Sequence, residues 1–137
     1  MTIRFHVPGT PTGKGRPRMT RSGHCYTPSK TVEYESKIAW CFAQAYPDHV
    51  PIKTAITLHV VAYMPIPASW SRKKAKAAEE GEIRPTVKPD LDNILKTLDA
   101  LNGVAWKDDA QVVAVLVEKY YSEASGMSVY ITWEDDK

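Results

Sequence analysis

The chain has 137 residues, a formal net charge of +2, 43% hydrophobic and 25% charged residues. That length supports one core and so one domain, residues 1–137, and the ordinary composition excludes disordered and fibrous classes. No run reaches the roughly 18 apolar residues of a membrane span, MTIRFHVPG lacks the charged head and apolar stretch of a signal peptide, and Cys25 and Cys41 fit no metal spacing, so two reduced thiols in a cytoplasmic protein are expected.

IRFHV (3–7) alternates, with Ile3, Phe5 and Val7 facing one way and Arg4 and His6 the other, which predicts a strand. PGTPTGKGRPRMTRSGHCYTP follows as a long irregular loop, and compact domains seldom keep such a loop without a use for it. Thr27-Pro28 reads as a helix start, Thr27 capping and Pro28 in the first turn; Ile38, Cys41, Phe42 and Ala45 share a face before Pro47 stops the helix. TAITLHVVAYM (54–64) is a second strand, with Ile56, Leu58, Val60, Ala62 and Met64 on one side. SRKKAKAAEEG is a short polar helix capped by Ser71, whose bases fit a solvated face as well as a DNA contact.

Asn93 to Leu101 carries an apolar helical stripe of Ile94, Leu95, Leu98 and Leu101, and Gly103 suits the residue just past the helix end. QVVAVLVEKYY (111–121), nearly continuous and β-branched, predicts a central strand buried on both faces. MSVYITW (127–133) alternates, with Met127, Val129, Ile131 and Trp133 inward. The order predicts an α+β (α/β) fold, one small mixed sheet with helices packed against it.

Charge is uneven along this order. Met1–Lys30 holds six basic residues and no acid, whereas Asp108–Lys137 holds seven acids and two lysines. Such asymmetry points to a basic surface for a polyanion.

The stretch KPDLDNILK (88–96) carries the chemistry. In extended chain, residues two apart project to one side, so Asp90 and Asp92 can aim at one point. Asp92 sits where the Asn93 helix begins, near free N–H groups that stabilise a carboxylate, and Lys96 lies one turn on. The return through WKDDAQ can bring Asp108 or Asp109 beside them. Carboxylates without His or Cys form a hard oxygen site suited to Mg²⁺, with Mn²⁺ able to substitute. Such an ion activates water and offsets charge on a phosphodiester, and a lysine can hold the phosphate. The plain alternatives are a helix cap with a solvated acid, a surface ion pair worth about 0.3–0.5 kcal/mol, and acidic turn residues. His6, His24, His49 and His59 are scattered, and His24 beside the basic loop could touch a phosphate. There is no Ser/His/Asp arrangement, GxxxxGK or GxGxxG, which removes a nucleotide cofactor.

KPDLDNILK, followed by LDALNG, Trp106 and KDDAQVV, resembles the RusA-type Holliday-junction resolvases, as do PGTPTGKGRPR, GHCYTP and MPIPASWS, which look like phage or prophage members. The resemblance runs from about Ile3 to Trp133. It implies a small homodimeric, Mg²⁺-dependent endonuclease that nicks four-way DNA junctions on two opposing strands in recombination and repair. It also implies metal carboxylates at Asp90, Asp92 and Asp109, an essential lysine at Lys96, and Asp108 as a reserve ligand. A C₂ dimer suits a two-fold junction needing two cuts. Lys14, Arg16, Arg18 and Arg21, with Lys88, are then the phosphate contacts, with Gly13, Gly15 and Pro17 shaping their loop. Three rivals stand beside it: a nuclease for flaps or forks, a non-catalytic DNA-binding accessory protein whose acids are structural, and, more remotely, an RNA-processing nuclease.

Overall fold

Alternation at the N-terminus becomes strand β1, Thr2–Pro8, in a computed structural model that describes residues 1–135. Phe5 and Val7 are buried, and Arg4 and His6 take the other face, as a two-residue period requires. The basic segment that follows is not wholly irregular: Arg18–Met19 (β2) and Cys25–Tyr26 (β3) pair as a small antiparallel hairpin. Helix α1 spans Ser29–Ala45, and its N-cap is Pro28 rather than the expected Thr27. The reason is local: Pro28 keeps an extended ψ of 139° while its carbonyl already accepts from Thr31 N and Val32 N. Thr31, Tyr34, Ile38 and Phe42 form the buried stripe of α1, with Cys41 half-buried and Ala45 exposed.

Strand β4, Ile56–Pro65, buries the five expected residues from Ile56 to Met64. Helix α2, Arg72–Glu79, starts as expected at Ser71, whose hydroxyl accepts from Lys74 N at 3.2 Å. Helix α3 is Leu91–Lys96, beginning two residues before the expected Asn93, and it tightens into a 3₁₀ turn at Thr97–Leu101. Gly103 follows with φ of +78°, the left-handed backbone that glycine adopts without strain. A second 3₁₀ turn, Asp109–Gln111, leads into β5, Val112–Ser122, and β6 is Gly126–Trp133.

The sheet order is β1-β6-β4-β5. β1 and β4 flank β6 antiparallel and β5 runs parallel to β4, so the sheet is mixed and the α+β assignment holds. Phe5 meets Phe42 edge-on at 5.3 Å, and the core continues through Ile94, Leu98, Leu101 and Trp106. A satellite cluster of Met64, Ala78 and Tyr121 seats α2.

One expectation fails. β5 is not central but an edge strand, hydrogen-bonded to β4 alone. Its residues 113–116 are exposed, Val113 at 69% and Leu116 at 55%. An apolar β-branched run does not distinguish a strand flanked on both sides from one flanked on one side. Among the described residues, no helix is long and apolar enough to cross a membrane.

Candidate metal and nucleic-acid site

Helix α3 is short, and Ile94, fully buried, anchors it to the core. Thr97 Oγ1 donates to Ile94 O at 2.6 Å and closes the junction with the 3₁₀ turn. Asp90 is the N-cap, its backbone carbonyl accepting from Ile94 N at 3.1 Å, and its side chain makes no capping bond. Asp90 is exposed. Asp92 lies in the first turn with its side chain 68% exposed, and Lys96 Nζ stands 3.7 Å from Asp92 Oδ2.

This differs from the extended geometry expected for the two aspartates. Because α3 starts at Leu91, Asp92 is already helical, and positions two apart on a helix do not face each other. Asp90 instead lines a cleft of about 880 Å³ whose walls include Lys14, Arg16, Arg18, Lys30 and Lys88.

Asp109 is held differently. The buried Trp106 indole donates to Asp109 Oδ1 at 2.8 Å, and Asp109 N donates to Asn102 Oδ1 at 2.9 Å. These bonds fix one carboxylate oxygen and the backbone. Asp109 borders a smaller cleft of about 220 Å³ together with Lys96, Leu95 and Val115. Among the described residues, no three His, Cys, Asp or Glu side chains form a group placed to hold a metal ion. The expected meeting of Asp90, Asp92 and Asp109 is thus not preformed within one chain.

Asp108 has a structural task. Its side chain accepts from Ala110 N at 3.0 Å, and Gln111 Oε1 accepts from Asp108 N at 2.9 Å, a reciprocal capping box. Gln111 Nε2 also donates to Ile52 O and Thr54 O, tying the turn to the chain before β4. The D-x-x-Q spacing was a visible signal of this box. Trp106 and Asn102 stood in the sequence only as part of the family resemblance, and their bonds to Asp109 depend on the 3₁₀ turn that faces them to it. Lys119 was equally hidden: its Nζ donates to Val87 O at 2.7 Å and Pro89 O at 3.1 Å, steadying the loop that presents Asp90.

The basic loop is strapped against α3. Lys14 N donates to Asn93 O at 2.9 Å, and Gly15 N donates to Thr31 Oγ1 at 2.9 Å. A Cβ at Gly13 would come within 2.8 Å of Pro89 Cβ, so glycine here serves close packing within the chain. Arg16, Arg18, Arg21 and Lys88 are exposed; the first two and Lys88 border the Asp90 cleft, whereas Arg21 lies in the turn of the small hairpin. Lys14 differs from the rest. Its Nζ sits 2.9 Å from Asp99 Oδ2 and 3.1 Å from Glu35 Oε1. The Asp99 hydrogen bond first, then that of Glu35 and both charges, raise the Lys14 pKa against its partial desolvation. His24 is exposed, its backbone N–H donating to Thr20 Oγ1 at 3.1 Å.

The chain matches the family described as Endodeoxyribonuclease RusA over residues 8–132. It is also 41% identical, over 135 residues and 94% of each chain, to the uncharacterized protein YqaN of Bacillus subtilis (strain 168).

Proposed function

We propose, for a chain that belongs to the RusA family of Holliday-junction-resolving endodeoxyribonucleases, that it cuts four-way DNA junctions by paired, Mg²⁺-dependent nicks, working as a homodimer in the cytoplasm. The observation that supports this reading is the α3 segment, where Asp90, its side chain making no capping bond, lines a cleft rimmed by Arg16, Arg18 and Lys88, and the exposed Asp92–Lys96 pair follows on the same short helix.

Asp90, Asp92 and Asp109 are the residues that would hold the ion. Their chemistry fits, because the donors are carboxylate oxygens without His or Cys, and Mg²⁺ keeps several waters and accepts one or two carboxylates together with phosphate oxygens. Asp90 and Asp92 are exposed, so their side chains are free to turn toward an incoming ion. Bound there, Mg²⁺ supplies Lewis-acid stabilisation of the phosphodiester and a more acidic water. Lys96 places its ammonium beside the scissile phosphate and offsets charge that develops on it. Arg16, Arg18, Arg21 and Lys88 grip flanking phosphates, which gives affinity and register without sequence information. Trp106 and Asn102 hold Asp109 in orientation, as the partners of a ligating group commonly do. Lys14 is assigned to the fold rather than to DNA, since two carboxylates already occupy it.

The test is a labelled four-way junction and a Y-fork, each incubated with and without Mg²⁺. Junction resolution predicts symmetric cuts on two opposing strands that require the ion. Preferential cutting of the fork would favour a nuclease for other branched DNA, and salt-dependent binding without product in any condition would favour an accessory protein.

A further inference from the structure

Helix α2 carries charge that the site around Asp90 does not use. Its run RKKAKAA (72–78) holds four bases and no acid, and Arg72, Lys73, Lys74 and Lys76 are all exposed. This clustering does not serve the helix. Arg72, Lys73 and Lys74 occupy the first turn, where the helix dipole disfavours cations, and Arg72 and Lys76 form a like-charge pair one turn apart, a further cost. The nearby acids are engaged elsewhere: Glu79 Oε2 accepts from Glu123 N at 2.8 Å, and Glu80 Oε1 stands 3.9 Å from Lys76 Nζ. Among the described residues, Arg72 and Lys73 make no ion pair. The helix is also firmly placed. Ala78 seats it in the cluster with Met64 and Tyr121, and Trp70 packs edge-on against Tyr121 at 5.1 Å. Met64 lines the Asp90 cleft as well, so the seat of α2 and the cleft meet at one side chain. The chain between them is tied down, Glu82 N donating to Ala77 O at 3.0 Å and Arg84 Nε to Lys119 O at 2.7 Å.

We propose, resting on the junction reading above, that α2 is a second DNA contact, at which Arg72 and Lys73 grip the phosphate backbone of a duplex arm as it leaves the Asp90 cleft. Duplex DNA presents one charge for about every 1.7 Å of its axis, so a helix of about 12 Å faces several phosphates. Phosphates beside α2 relieve the repulsion among its bases, which water alone leaves in place. Backbone contact is favoured over base stacking, since the Trp70 ring is packed against Tyr121 and covered by Lys74 Nζ at 4.0 Å. A lipid surface is disfavoured, because the apolar residues of 72–79 are all alanine and give no face to insert.

The test is binding of the full chain to a labelled four-way junction across a salt series, without Mg²⁺, read by fluorescence anisotropy. R72A/K73A is compared with wild type and with R4Q/K53Q, which removes two exposed charges elsewhere, Arg4 lying on the far face of the sheet. Alanine suits a helix and the lost charges opposed its dipole, so R72A/K73A should melt at or above the wild-type Tm. The expected result is that R72A/K73A lowers the slope of log affinity against log salt by about two and weakens binding about tenfold at about 0.1 M salt, while R4Q/K53Q matches wild type. Hydroxyl-radical footprinting locates the contact: wild type should protect arm backbone away from the branch point, and R72A/K73A should expose that stretch while protection at the branch point persists. An unchanged slope in R72A/K73A, an equal loss in R4Q/K53Q, or exposure confined to the branch point overturns the α2 contact and leaves the junction reading standing. A wild-type chain with no salt-dependent junction binding overturns both.

Discussion

Replacing Trp106 with phenylalanine isolates one hydrogen bond at the centre of the account. The indole is 1% exposed and donates to Asp109 Oδ1 at 2.8 Å. Phenylalanine keeps most of the ring volume in the core and removes the donor. A hydrogen bond to a charged group contributes about 1.5–3 kcal/mol when well buried. Asp109 is exposed, so water takes over part of the lost bond and the stability cost falls to about 1 kcal/mol. For a chain of this size that lowers Tm by about 3–4 °C. Trp106→Ala would instead empty the core site at about 3–5 kcal/mol and confound the reading. The functional effect should exceed the structural one, because Asp109 loses the group that orients it: cleavage falls by about 10–100-fold, or needs correspondingly more Mg²⁺. The assay is single-turnover junction cleavage across a Mg²⁺ titration, with thermal melting alongside. Wild-type rate and Mg²⁺ midpoint in W106F would refute the claim that this bond positions Asp109.

The aspartate pair should separate in function: D108A loses a turn cap and about 1 kcal/mol of stability while still cutting, whereas D109A, which leaves the buried Trp106 N–H without its acceptor, loses about as much stability and does not cut. Measured as the slope of log affinity against log salt, R16A/R18A should reduce junction binding by about two phosphate contacts, while K14Q leaves the slope unchanged and lowers Tm. Burial first, then the Arg4 charge, depress the His6 pKa, so the unfolded chain binds the proton more readily; stability should fall as pH drops below 6.5 through the lower folded value, and H6Q, followed by denaturant melts, should flatten that dependence.

Much of this fold was legible because a two-residue period with one apolar face leaves little freedom. Ile56, Leu58, Val60, Ala62 and Met64 in β4 and Met127, Val129 and Ile131 in β6 are buried as their alternation required. Ser71 announced α2 for an equally local reason. What failed depended on distant parts of the chain. The run Val112–Val117 reads as interior whether a neighbouring strand comes from its own sheet or from outside it, and only topology shows that the second side is open. The start of α3 moved because Leu91 joins the helix, which puts Asp92 in helical rather than extended backbone. The basic loop was recognisable by composition, but its strapping to Asn93 and Thr31, and the engagement of Lys14 by Glu35 and Asp99, arise from residues far along the chain.

The central claim is that the carboxylates of the α3 segment serve phosphodiester hydrolysis, and Asp92→Asn tests it most directly. Asp92 is exposed, so the substitution leaves the core untouched while removing one negative charge from the surface. Cleavage of a labelled four-way junction in Mg²⁺ and gel-shift affinity without it should be measured on the same preparation. The account predicts that cutting disappears while binding stays as tight or tightens, because phosphates approach more easily. Cutting at the wild-type rate would contradict it.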